Sequence, residues 1–233
     1  MKKSTNAGCW IAAGVIGVAL GLAGVVPSVA QAALDNATLP KMSTPLKDVT
    51  LVIFDVETTG FSAEKDRVVE LGAVKFRNGV ILATTNWLIH PGRAIPKRVT
   101  KVHGITDEMV KDKPAFTDVY PEFLAFIGDA LLVAHNARFD VDFVRAEINR
   151  AGLPLPSNAV IDSLKLFRRW YPESTSHKIS VLTDYIGLSA TGLHRGNVDA
   201  EYTGQIFLEG LNRHPKVRTL RQLLADSGGL LVF

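Results

Sequence analysis

The stretch Thr50–Gly60, TLVIFDVETTG, decides how this chain is read. Apolar residues run from Leu51 to Phe54 and then give way to two carboxylates, Asp55 and Glu57, and a Thr-Thr-Gly turn. The run predicts a buried strand over Leu51–Asp55. Residues two apart on a strand share a face, so Asp55 and Glu57 point the same way. A buried carboxylate without a partner costs several kcal/mol or more, and two side by side also repel each other. Either cations neutralise the pair or one acid stays protonated. Oxygen ligands of this kind suit hard divalent ions such as Mg²⁺ or Mn²⁺. Taken alone, the pair would equally suit a turn cap and a solvated Glu.

Outward from that strand, the pattern predicts a mixed sheet. Val68–Phe76 and Val80–Ile89 are apolar-rich strands around Arg77-Asn78-Gly79, and Asn-Gly is a strong hairpin signal. Phe116–Ile127 reads as a helix with Thr117 or Asp118 as its cap, and Asp107–Val110 as a single helical turn. Leu131–Ala134 and Val160–Ile161 are short buried strands. Helices are expected over 141–151, stopped by Gly152 and Pro154, and over 163–170, 181–186 and 198–211. A hairpin followed by alternating helices and strands argues for an α/β fold, with a mixed central sheet flanked by helices in a single domain.

The chain has 233 residues, 47% hydrophobic and 21% charged, with a net charge of +3. Lys2 and Lys3 are the only charges before Asp35, so from residue 33 onward 24 basic residues face 23 acidic ones. That is not the basic footprint of tight, passive nucleic-acid binding. Any grip on nucleic acid would be local, through metals and a groove. The single cysteine, Cys9, leaves the body with no disulfide framework and no thiolate zinc site.

Two further segments carry candidate chemistry. In Leu131–Phe143, LLVAHNARFDVDF, a strand runs into His135-Asn136 and Asp140 opens a helix, where an Asp is often only a cap. In Leu193–Gly204, LHRGNVDAEYTG, His194 and Asp199 are five apart, with the His in a loop and the Asp in a helical first turn. Each is weak by itself. In this order, FDVETTG, HNARFD and H-x-x-x-x-D resemble the DEDDh, or DnaQ-like, family of 3′→5′ exonucleases. The pattern is that of the proofreading (epsilon) subunits of bacterial DNA polymerase III. The resemblance runs from about Val49 to Leu211 and takes in RVVELGAVKFRNG, KVHGITDEMV and VIDSLKLF.

The resemblance implies a ribonuclease H-like fold, with Asp55, Glu57, Asp140 and Asp199 binding two divalent cations, Mg²⁺ or Mn²⁺. Such pairs lie ~3.5–4 Å apart and stabilise both oxygens of an in-line displacement. His194 would be the general base, and an imidazole titrating near neutrality suits that role. The substrate would be single-stranded DNA, shortened from its 3′ end to nucleoside 5′-monophosphates. The resemblance also implies substrate-binding roles for Thr58, Thr59, His103, Asn136 and Phe139. Asp142 lies off the helix face of Asp140 and is not counted as a ligand. One departure stands out: the family usually reads His-x-Ala before its last Asp, and here the third residue is Gly196, a change expected to loosen the loop of His194. Two alternatives remain open, the same chemistry on RNA and a non-catalytic nucleic-acid-binding module.

The N-terminus shows a further pattern. Two lysines, an apolar Ala/Gly/Val-rich run over 7–26, Pro27 and Ala30-Gln31-Ala32 have the layout of a secretory signal peptide over residues 1–32. The run is also long enough for an uncleaved membrane anchor, and its lysines put the body outside the cytoplasm in either case. Translation from Met42 would instead give a cytoplasmic protein, the setting in which a polymerase partner is expected. Residues 33–48 read as a linker, 49–212 as the catalytic domain and 213–233 as a C-terminal tail that docks on the domain or on a partner.

Overall fold

A computed structural model describes residues 37–233; the expected signal peptide or anchor lies outside them. Three strands come first, β1 (Thr50–Thr58), β2 (Val68–Arg77) and β3 (Val80–Leu88). The Asn-Gly turn between the last two has positive φ at both residues, 52° at Asn78 and 76° at Gly79, the backbone that a tight hairpin needs. Next come α1 (Lys97–His103), α2 (Asp107–Val110) and α3 (Phe116–Ile127). Strand β4 (Leu131–Ala134) leads into α4 (Arg138–Ala151), and β5 (Ala159–Asp162) into α5 (Ser163–Trp170). The chain closes with α6 (Ile179–Tyr185), α7 (Gly196–Arg213), α8 (Leu220–Ser227) and β6 (Leu230–Val232).

The six strands form one sheet in the order β3-β2-β1-β4-β5-β6. β1 runs antiparallel to β2 and parallel to β4, β4 is parallel to β5, and β6 returns antiparallel. Both faces of β1 are buried, which is why its sequence is a continuous apolar run. Val52, Phe54 and Val56 pack with Phe116, Phe123, Val141 and Val144 of α3 and α4. Leu51 and Ile53 face the other way, toward Leu166, Phe167, Ala200 and Phe207 of α5 and α7. Asp55 and Glu57 continue this second face to the end of the strand.

The two segments flanking the expected catalytic domain both belong to the fold. The tail takes the first of the two placements left open, docking on the domain: α8 buries Leu220 and Leu223, β6 extends the sheet, and Phe233 packs on Phe54 with ring centroids 6.0 Å apart. The described part of the expected linker is also docked. Thr38 bridges to Asn158, Pro45 to Thr219, and Leu39 and Leu46 pack on the core. Both segments are short, and their partners lie far away in the chain, at Asn158, Thr219 and Phe54. Helix α1 was not read from sequence, since Pro96 at its N-cap position gives no side-chain cap. The cap of α3 is Ala115, whose N–H donates to Asp118 Oδ2 over 3.1 Å.

Candidate active site

The parallel strands β1 and β4 end at the same edge of the sheet, where ligands of open α/β sheets bind. A cleft of about 870 Å³ opens there, lined among others by Asp55, Glu57, Asn136, Phe139, Asp140, His194 and Asp199. Four separate elements converge on it. Asp55 and Glu57 come from the end of β1, Asp140 from the first turn of α4, Asp199 from the first turn of α7, and His194 from the loop before α7. One carboxylate oxygen from each of Asp55, Glu57 and Asp199 lies within 4.8 Å of the others. Asp140 is 2% exposed, and its Oδ1 accepts the Val56 N–H at 3.0 Å, which ties α4 to the rim of β1.

The electrostatics of this group are one-sided. Burial holds the Asp55 carboxyl well above the usual carboxylate range, and Asp140, Asp199 and Glu57 push it further. Burial also drives Glu57 up to about 8, with Asp199, Glu70 and Asp140 adding to it and Arg195 opposing. Asp140 and Asp199 are raised too, chiefly by burial, although backbone N–H donors to each pull the other way. Among the described ion pairs none involves these four acids. The missing counter-charge is what hard divalent cations would bring, so the donor set fits them.

Asp199 has a second task. Its Oδ2 accepts the N–H groups of His194 at 2.7 Å and Arg195 at 3.0 Å, which fixes the loop that carries the imidazole. His194 itself is exposed, with φ at 68°, a left-handed backbone uncommon outside glycine. Phe139 is half-buried at the cleft wall against Phe143, ring centroids 4.7 Å apart. Asn136 is exposed at the same wall, also left-handed with φ at 59°. Asp142 is engaged by Arg145 at 3.1 Å and Arg138 at 3.5 Å, away from the cleft lining.

Three residues expected at the substrate, Thr58, Thr59 and His103, are not among the residues that line the cleft. The Thr58 hydroxyl donates to Gly60 O at 2.5 Å, and the Thr59 hydroxyl accepts the Arg67 N–H at 3.0 Å and donates to Asp66 at 3.3 Å. Both side chains are buried and serve the turn itself. His103 is 5% exposed, its Nδ1 accepts the Ile105 N–H at 3.0 Å, and its ring also lies close to the Thr58 backbone. Burial lowers its pKa.

The expected loosening at Gly196 is overturned. Gly196 is buried at the start of α7, and a Cβ there would stand 2.7 Å from the Gly72 backbone N and 3.0 Å from Asp55 O. From the other side, a Cβ on Gly72 would stand 1.9 Å from the Asn197 N. The two glycines let α7 press directly on β2 beside Asp55, so Gly196 is a packing position and not a point of slack.

Sequence reasoning also missed a further part of the cleft lining, formed by Arg168, Ser176, His177, Lys178 and Ser180. Their sequence signal is weak: Arg168 sits within α5, Ser176, His177 and Lys178 in the connection that follows, and Ser180 in the first turn of α6. It also missed Glu70, fully buried on β2 and paired with Arg195 at 2.7 Å. An acid inside the apolar run VVELGAV was the available sign.

Comparison with known proteins agrees with this arrangement. The RNase_T exonuclease family model matches residues 52–207. The chain is 41% identical over 162 residues to a PolC-type DNA polymerase III of Halalkalibacterium halodurans, which covers 70% of this chain and 11% of the polymerase. It is 40% identical over 181 residues to the PolC-type polymerase of Streptococcus suis, covering 76% and 12%. The chain thus spans only about a tenth of the length of these relatives. Among solved structures, exonuclease X in complex with 5′ overhanging duplex DNA superposes with a TM-score of 0.61 at 28% identity, over 76% of this chain and 99% of that one. Exonuclease I of E. coli with a dT13 oligonucleotide superposes with a TM-score of 0.65 at 17% identity, over 72% and 42%, a likeness of fold. With its family matched over most of its length and its DEDDh residues gathered in one cleft, this chain belongs to the exonuclease family and has the ribonuclease H-like fold.

Proposed function

We propose that this exonuclease hydrolyses single-stranded DNA from the 3′ end with the help of two divalent cations, releasing nucleoside 5′-monophosphates. The observation that carries the reading is the convergence of Asp55, Glu57 and Asp199 within 4.8 Å, in one cleft with Asp140 and His194. Asp55, Glu57, Asp140 and Asp199 would hold the cations, which when bound supply charge neutralisation at the scissile phosphate and a more acidic water. His194, exposed on a loop fixed by Asp199, takes the proton from the attacking water. Phe139 offers a stacking face for a base, and stacking tolerates any sequence. Arg168 and Lys178 put positive charge in the cleft lining, where the backbone of the incoming strand would run.

The DNA reading draws on the names of the relatives, PolC-type DNA polymerases and an exonuclease X bound to DNA. The test is product analysis. The purified full-length chain is incubated with a single-stranded DNA oligonucleotide and with its RNA counterpart, in Mg²⁺ and in Mn²⁺. Deoxynucleoside 5′-monophosphates from the DNA, released faster than ribonucleotides from the RNA, are expected. Faster release from RNA would move the assignment to an exoribonuclease. Tight binding of both, with no mononucleotide at all, would favour a binding module.

The layout of residues 1–32 supports a second part of the reading, that the domain works outside the cytoplasm, exported or anchored. No described helix is long and apolar enough to cross a membrane, so any anchor would be the N-terminal segment. Cell fractionation tests this: the protein should leave the cytoplasmic fraction. A full-length soluble cytoplasmic protein would contradict it and make a polymerase partner the expected setting.

A further inference from the structure

The loop that carries His194 departs from relaxed backbone, and something must hold it. Asp199 holds its amides from below. The neighbouring side chain, Arg195, does not line the cleft. It turns back to β2, where its Nε and Nη2 donate to Glu70 over 2.7–3.2 Å in a two-pronged pair. Glu70 is fully buried and also accepts the Gly196 N–H at 2.8 Å and the Asn86 side-chain amide at 2.8 Å. A buried carboxylate bound this fully is a rigid anchor, since withdrawing any one donor leaves charge uncompensated. In the β1–β2 register Glu70 stands opposite Glu57. One side chain therefore faces an acid of the cleft and grips the loop of the base.

We infer that Arg195 and Glu70 are positioning residues, a clasp that sets His194 against the acids of β1 and acts on turnover with little effect on substrate binding. Arg195 lies next to the catalytic His, where a basic residue would ordinarily be read as a phosphate contact. Its geometry argues against that reading, because Nε and Nη2 are held by a buried carboxylate and neither residue lines the cleft. Gly196 pressed on Gly72 completes the seat, since Gly196, the first residue of α7, gives the anchor a backbone donor.

The kinetic part of the test rests on the exonuclease reading above, so a second readout is chosen that does not. Full-length wild type, Arg195→Gln, Arg195→Lys, Glu70→Gln and the double variant Arg195→Gln/Glu70→Gln are compared. Steady-state kinetics on single-stranded DNA should show kcat reduced about 10–100-fold in Arg195→Gln, the range typical of residues that orient a site from behind, with KM within about 3-fold. Arg195→Lys keeps a charge beside Glu70 and should recover most of the rate. The double variant should be no worse than the weaker single variant, as expected for two residues acting through one contact. In parallel, hydrogen exchange of the backbone amides from His194 to Asp199 should quicken at least about 10-fold in Arg195→Gln and recover in Arg195→Lys. Unchanged kcat with a raised KM and weaker salt dependence would make Arg195 a phosphate contact and overturn the inference. Unchanged amide exchange would overturn it as well, even if the wild type proved inactive on every nucleic acid tried.

Discussion

Asp55, Glu57, Asp140 and Asp199 are each weak evidence alone, but they line one cleft, burial raises all four, and none forms an ion pair among the described residues. That has a measurable consequence for stability. A carboxyl whose folded pKa lies above its unfolded value stabilises the fold below the unfolded value, about 4. That contribution is lost as pH rises through the folded value, about 8 for Glu57. In EDTA the melting temperature should therefore fall between pH 5 and pH 8. Saturating Mg²⁺ or Mn²⁺ should restore it, with a larger shift at pH 8 than at pH 5, because cations and protons compete for the same oxygens. Thermal melts across that pH range check both statements, and a metal-induced shift that does not grow with pH would contradict them. His194→Ala should leave these melts unchanged, since the side chain is exposed, and should lower kcat about 10²–10⁴-fold, the usual contribution of a general base. The acids and the His were legible in sequence because their motifs are local. Glu70 and Arg195 were not, since their pairing spans 125 positions and no local pattern encodes it. The hydroxyls of Thr58 and Thr59 are engaged within their own turn, a use that the sequence alone does not separate from contact with a ligand.

At the level of elements, the sequence spoke most clearly where burial dictates pattern. Strand β1 is covered on both faces and reads as an unbroken apolar run, the Asn-Gly hairpin announces its own backbone, and α5 begins and ends where expected. It was mute where an element is short or uncapped. Helix α1 starts after Pro96 without a cap, and β6 has three residues. The junction of α7 with β2 shows how a single position can be read the wrong way. Glycine at 196 looked like slack and is a requirement of close approach, visible only once Gly72 is seen beneath it. Gly196→Ala should accordingly destabilise the protein by about 1–3 kcal/mol, the cost of forcing a methyl into a packed interface. It should also lower kcat by moving the His194 loop. Chemical denaturation and single-turnover kinetics on the same preparation measure the two effects, and a fully stable, fully active variant would show that α7 has room to retreat.

For the whole molecule, the domain is larger than the motifs that identify it. The family match ends at residue 207, yet the sheet is finished by β6 and the core beside Phe54 is closed by Phe233. Phe233→Ala should cost about 3 kcal/mol, at the low end for a large aromatic side chain because this one is 6% exposed. Since Phe233 is remote from the cleft lining, kcat at a temperature where the variant remains folded should stay within about 2-fold of wild type, as distant sites behave independently. A melt and a rate on the same sample decide it. The near-neutral body agrees with a protein that holds its substrate at one acidic, metal-dependent point instead of across a basic surface.

The most direct measurement is the digestion of 5′-labelled single-stranded DNA by the purified full-length chain in Mg²⁺, beside the same reaction in EDTA and beside Asp55→Ala. A ladder that shortens from the 3′ end, and is abolished by both EDTA and the substitution, is the predicted result. A ladder that persists in EDTA, or one that Asp55→Ala produces as fast as the wild type, would contradict the claim that these acids and their cations perform the reaction.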